Sequence, residues 1–175
     1  LYISISFYFF ISLLFAEETR QVDKHEHGVG ELNIAIQSNT MVLEFMIPGA
    51  DIVGFEYEAK SEQDKATVNA ALTKFEDYNN IFIIPTNSKC LLVSSKININ
   101  QEDDHDEHQE EAHNEFYAKY TFECGDIKSL DLLEFPYFET FSNSGELEVQ
   151  FVSEIGSTSF EVEADSPIIN IEGKI

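Results

Sequence analysis

Basic residues are scarce in this chain. Ten lysines and arginines stand against 33 aspartates and glutamates in 175 residues, for a formal charge of −23. That balance excludes nucleic acid as a partner, because phosphates require clustered Lys and Arg and those present are scattered. Long apolar runs are also few: after residues 1–16, LYISISFYFFISLLFA, no stretch is long and apolar enough to span a bilayer. Familiar catalytic arrangements are missing. The chain has no His-Glu-x-x-His helix, no Gly-x-Ser-x-Gly and no phosphate loop, and nothing marks two of its many carboxylates as an acid/base pair. It therefore reads as a non-enzyme. Methionine does not cluster, and with only two cysteines, expected to be oxidised, a Cu(I) site is disfavoured.

Residues 1–16 are followed at once by Glu17-Glu18-Thr19-Arg20. The run is short of the roughly 20 residues of a membrane helix and fits the apolar core of a secretory signal cleaved after Ala16. With neither an initiator Met nor a basic leader, the chain is expected to begin inside that signal. A retained anchor is the alternative; after cleavage no stable membrane insertion is expected. Export favours a disulfide between Cys90 and Cys124. The two flank an acidic segment, so a bridge is expected to tie its bases together. The competing reading is a pair of thiolate zinc ligands, which requires a reducing compartment or continuous metal occupancy.

With 43% hydrophobic residues the chain is expected to be globular. Leu32, Ile34 and Ile36 alternate with polar neighbours, and residues 41–47 return after Ser38-Asn39, which predicts a β-hairpin. Residues 52–57 read as a third strand or a packed loop. Ser61 with Asp64 opens a helix over about 61–78, with Val68, Ala71, Leu72, Phe75 and Tyr78 on one face. Residues 81–84 and 90–100 read as strands. In residues 113–124, Phe116, Ala118, Tyr120, Phe122 and Cys124 face one way, and His113, Glu115, Tyr117, Lys119 and Thr121 the other. A second hairpin is expected around Gly156-Ser157, and a last edge strand at 167–171. The expected fold is α+β: a mainly antiparallel sheet, one main helix and a disordered acidic loop at about 101–112. The order strand, strand, helix, strand in both halves hints at a weak internal duplication.

All five histidines fall in two short acidic clusters. His25-Glu26-His27-Gly28 is one. The other, residues 101–114, QEDDHDEHQEEAHN, holds His105, His108 and His113 among seven carboxylates. Imidazole nitrogen and carboxylate oxygen are the ligands of borderline divalent metals, zinc above all, with Cu(II) a strong competitor in vitro. In extended chain, residues i and i+2 share a side. His25 and His27 then project together, as do His113 and Glu115, and if the segments meet they supply a four-ligand zinc site. Tyr117 extends the same face. His105 and His108 lie where ordering around a metal costs conformational entropy, so the loop is expected to bind cations more weakly.

Several of these pieces, taken in order, resemble one family. They are His25-Glu-His27-Gly28 leading into Glu31-Leu32-Asn33-Ile34-Ala35-Ile36, then Pro48-Gly49-Ala50-Asp51-Ile52-Val53-Gly54-Phe55-Glu56. The helix of residues 59–75, the acidic His run, and His113-Asn-Glu115-Phe116-Tyr-Ala-Lys-Tyr120-Thr-Phe122-Glu-Cys124 complete the set. Together they resemble the ZrgA-type periplasmic zinc-binding proteins of Gram-negative bacteria over nearly the whole mature chain. The resemblance implies an exported periplasmic protein that works in zinc acquisition beside an ABC-type zinc importer or its binding protein. It implies zinc ligands at His25, His27 and His113, with His105 and His108 in the loop. The family commonly has a second histidine where this chain has Tyr117, so Glu115 or a loop residue is needed to complete the tight site.

Two readings follow. In the first, a single zinc-binding domain (residues 17–175, behind a signal truncated at its start, residues 1–16) captures or buffers Zn²⁺ and passes it on. Neutral imidazole has a reference pKa of about 6.5, so release is expected below roughly pH 6. In the second, the chain is an acidic periplasmic interaction module with incidental or structural metal, docking through a sheet edge or the aromatic patch Phe135, Tyr137, Phe138 and Phe141.

Overall fold

The computed structural model describes residues 28–101 and 114–175. Alternation of side chains builds its main sheet. In β1 (Val29–Gln37), Leu32, Ile34 and Ile36 are buried, while Glu31, Asn33, Ala35 and Gln37 are exposed. β2 (Thr40–Pro48) buries Met41, Leu43, Phe45 and Ile47 on the same face. Their two-residue connection puts Ser38 at φ 53°, the left-handed geometry a tight hairpin demands. β4 (Asn114–Cys124) contributes Phe116, Ala118, Tyr120 and Phe122, and β6 (Glu146–Ser153) contributes Leu147, Val149 and Phe151. With β3 (Cys90–Gln101) and β7 (Gly156–Glu163) at the edges, the six strands run β3-β4-β2-β1-β6-β7. Every neighbouring pair is antiparallel except β1 with β6.

Among the described residues, one face of the sheet is covered and the other is open. The cover includes α2 (Glu62–Glu76), which lays Val68, Ala71 and Phe75 on the strands. The Phe75 ring stacks on Phe116 at 6.1 Å and on Phe141 at 4.9 Å. The buried Tyr120 hydroxyl donates to the Phe75 carbonyl at 2.6 Å, joining helix to sheet where water cannot compete. Ser61 caps α2 as its sequence requires, its Oγ accepting the Asp64 N–H at 3.0 Å. A mainly antiparallel α+β fold with one long helix is thus what the chain adopts.

Several local expectations change. α2 stops at Glu76, and Tyr78 belongs to a 3-10 turn, Tyr78–Asn80. Residues 52–57 form no strand. Ile52 sits in a short helix, α1 (Gly49–Val53), and Phe55 and Tyr57 stack at 4.6 Å in the loop beyond it. Residues 81–84 make only one bridge, Ile83 to Glu134. The second hairpin turns at Glu154-Ile155, and Gly156-Ser157 already begins β7. The final strand, β8 (Ile168–Asn170), pairs with β5 (Leu132–Glu134) in a separate two-stranded sheet. The elements β4, β5, the short helix α3 (Tyr137–Thr140) and β6 again run strand, strand, helix, strand, but β5 pairs with β8 and not with β4, so the hairpin of the first half has no counterpart there. Phe135, Tyr137, Phe138 and Phe141 are core residues, so they offer no docking patch. Apart from Gln101, which ends β3, the acidic loop at 101–112 up to residue 113 lies outside the described residues. So do the proposed signal and residues 17–27.

The disulfide forms between Cys90 and Cys124, which are directly paired across β3 and β4. Its position differs from expectation. The acidic loop joins the other end of this hairpin, beyond the Gln101–Asn114 pair. Ten residues of strand separate the two ends, about 34 Å at 3.4 Å per residue. The bridge closes the open end of the hairpin, and ladder hydrogen bonds tie the bases of the loop.

Candidate metal centre

Of the residues expected to bind metal, only Glu115 is described; His25, His27, His105, His108 and His113 lie outside the described residues. Among the described residues no group of three or more His, Cys, Asp or Glu is placed to hold a metal ion. What the structure gives is the frame on which the histidine segments are mounted. Gly28 follows His27 and leads into β1; Asn114 follows His113 and begins β4. β1 and β4 are both antiparallel to β2 and lie on either side of it. Both therefore start at the end of the sheet where β2 finishes, with Pro48 paired to Glu115. Two strand spacings separate them, about 10 Å.

The turn after β2 links the two starts. Gly49 has no room for a side chain: an added Cβ would stand 2.6 Å from the Phe55 carbonyl oxygen and 2.9 Å from that of Asn114. The Asn114 N–H donates to the Glu56 carbonyl at 2.8 Å, and its side-chain amide donates to the Tyr57 carbonyl. On the other side, the buried Asp51 carboxylate accepts the Gly28 N–H through Oδ1 at 2.8 Å. The Gly28 carbonyl accepts two more hydrogen bonds, from the N–H groups of Gly145 and Glu146, at 2.9 Å each. Gly28 has φ +91°, which L side chains resist, so the glycine after His-x-His has a conformational reason.

Glu115, Tyr117, Lys119 and Thr121 are half-buried on the open face, as alternation requires. Moving away from the strand start, Lys119 Nζ pairs with Glu44 at 3.1 Å, and Lys96 Nζ lies 5.6 Å from the centre of the Tyr117 ring. Burial first, then the Glu44 charge, raises the Tyr117 phenol above its ordinary pKa. The phenol thus stays protonated at neutral pH and is a poor metal ligand. Toward the strand starts the charge turns negative. Glu146 stands directly across from Glu163, and Glu148 from Glu161. Like charges in facing positions weaken a ladder, and they make this end of the sheet attractive to cations.

Asp51 and Asn114 were not evident from sequence reasoning as parts of the site. Periodicity does not mark a carboxylate as buried, and only the glycine after His27 and the Pro48–Asp51 string gave a signal. No helix among the described residues is long and apolar enough to cross a membrane. Comparison with curated protein sequences gives no match. The family model described as "ZrgA family zinc uptake protein" matches residues 24–171, a span that includes all five histidines. The chain belongs to the ZrgA family of zinc uptake proteins.

Proposed function

We propose that this protein is a periplasmic zinc binder that captures or buffers Zn²⁺ and passes it toward a zinc importer, acting by binding and not by catalysis. One observation carries the reading. The two histidine-bearing segments of a zinc uptake family member lead into strands that start at the same end of one sheet, a single strand apart. His25, His27 and His113, completed by Glu115, are the proposed holding site. His105 and His108, set among carboxylates, are the proposed collecting segment. Negative charge raises the local cation concentration there, and the entropy of ordering keeps each encounter weak. Zinc then moves to the proposed holding site. The signal at residues 1–16 and the single domain from residue 17 complete this reading.

Zinc calorimetry on the metal-free mature protein tests it, with a His25→Ala/His27→Ala variant and a deletion of residues 101–109 run in parallel. The double variant is expected to lose the tight site, and the deletion to lose only weaker sites. Zinc binding no tighter than that of an acidic peptide would overturn the proposal.

A further inference from the structure

We infer that β3 is a dimerisation edge, where a second copy of this chain adds its own β3 antiparallel and extends the sheet. β3 ends the sheet on one side, and no described strand pairs with its outer edge. Three successive apolar residues stand exposed there: Leu91 at 74%, Leu92 at 40% and Val93 at 60%. Leu91 lies across from the exposed Glu123 and Leu92 across from the buried Phe122, so the run is uncovered on both faces of the sheet. A helix laid on one face would cover only part of it, whereas a strand added at the edge flanks both. Val93 has no partner on β4, because a bulge shifts the register between Leu92 and Ser94. Proteins blunt a free edge with bulges and charge; here the bulge presents valine. Along its 12 residues β3 carries one charge, Lys96, and no carboxylate, so two copies of a chain with net charge −23 can meet along it without opposing acids. The other edge of the sheet, β7, carries the exposed Glu161 and Glu163, where a second copy would bring like charges together. The β3 strip also matches itself. About a two-fold axis at Ser95, Val93 comes opposite Ile97 of the second copy and Lys96 opposite Ser94, each pairing occurring twice. Apolar pairs of this kind stabilise a ladder, no like charges face, and the contact closes at two copies.

Sedimentation equilibrium of the metal-free mature protein tests this, with a chelator present so that no metal bridges two molecules. The mean mass is expected to rise from monomer toward dimer, and no further, between about 10 µM and 1 mM, the range of a small interface. Val93→Lys sets a second cation on the strip, close to Lys96 of the other copy, and is expected to weaken dimerisation by about tenfold or more. Leu91→Lys, at the most exposed of the three positions, is a second variant with the same expected loss. Near-ultraviolet circular dichroism checks that each variant is folded. Ile155→Lys, at the turn between β6 and β7 and 65% exposed, is the control for general stickiness and is expected to leave the dimer unchanged. A monomer at every concentration overturns the inference, and so does association that needs zinc. A dimer that both β3 variants leave intact overturns it as well. Equal losses from Val93→Lys and Ile155→Lys, or masses that climb beyond the dimer, would show unspecific association and overturn it too.

Discussion

Replacing Cys90 and Cys124 together with alanine separates what the bridge does from what the metal site does. The disulfide closes 34 residues of sequence. In the chain-entropy treatment, removing a cross-link of that span destabilises the fold by about 3.8 kcal/mol. Globular domains are stable by only about 5–15 kcal/mol, so the loss is a large share of the total. With a urea dependence of about 2 kcal/mol per M, the midpoint should fall by about 2 M. Alanine is the right substitute at Cys124, which is 2% exposed, because serine would bury a hydroxyl beside the core. Zinc affinity should remain within threefold, since the bridge lies about 34 Å from the strand starts that carry the histidines. The assay is urea denaturation of the metal-free protein, followed by zinc titration of the folded variant. A midpoint shift below about 0.5 M would show that the bridge constrains little in the unfolded chain. A large loss of zinc affinity would refute the separation of bridge from site and return the cysteines to the metal.

Other outcomes follow from single residues. Gly28→Ala meets no neighbour within 4 Å but must adopt φ +91°, so it should cost about 1–2 kcal/mol in urea unfolding and weaken zinc binding; unchanged stability would mean that the left-handed geometry is not required. Tyr120 and Tyr137 have phenol pKa values raised in the fold, chiefly by burial. Their contribution to stability is complete below the unfolded tyrosine pKa of about 10 and is lost as pH rises above it. Absorbance at 295 nm should therefore show these two phenols ionising only as near-ultraviolet circular dichroism collapses. Ionisation of all tyrosines in a still-folded protein would contradict their burial. Protons compete with zinc for imidazole, so zinc should be released below roughly pH 6; unchanged affinity at pH 5 would rule out a histidine site.

Much of the fold was legible because alternation is a local signal. Leu32, Ile34 and Ile36, and Phe116, Ala118, Tyr120 and Phe122, identified both their strands and their buried faces. Ser61 with Asp64 identified the helix start for the same reason. What failed was non-local. Phe135, Tyr137, Phe138 and Phe141 look like a surface patch when no partner is known, and become core once α2 and the sheet enclose them. Strand order depends on which strands meet, and no period in β1 or β6 announces that they run parallel. The consequence of the Cys90–Cys124 pair was misread because its distance from the loop depends on the length of β3 and β4, not on flanking order. At the site, the ligand types could be read from composition. The strut through Gly49, Asp51 and Glu56 could not, since it is made of one buried carboxylate and backbone groups.

Zinc K-edge X-ray absorption on the mature protein loaded with one equivalent of zinc bears on the proposed site itself. If His25, His27 and His113 converge with a carboxylate at the starts of β1 and β4, the nearest shell is four nitrogen and oxygen atoms at about 2.0–2.1 Å, with imidazole scattering beyond and no sulfur. His113→Ala should remove one imidazole and leave the others. A shell of oxygens without imidazole, or sulfur at about 2.3 Å, would contradict a site built on these two strand starts.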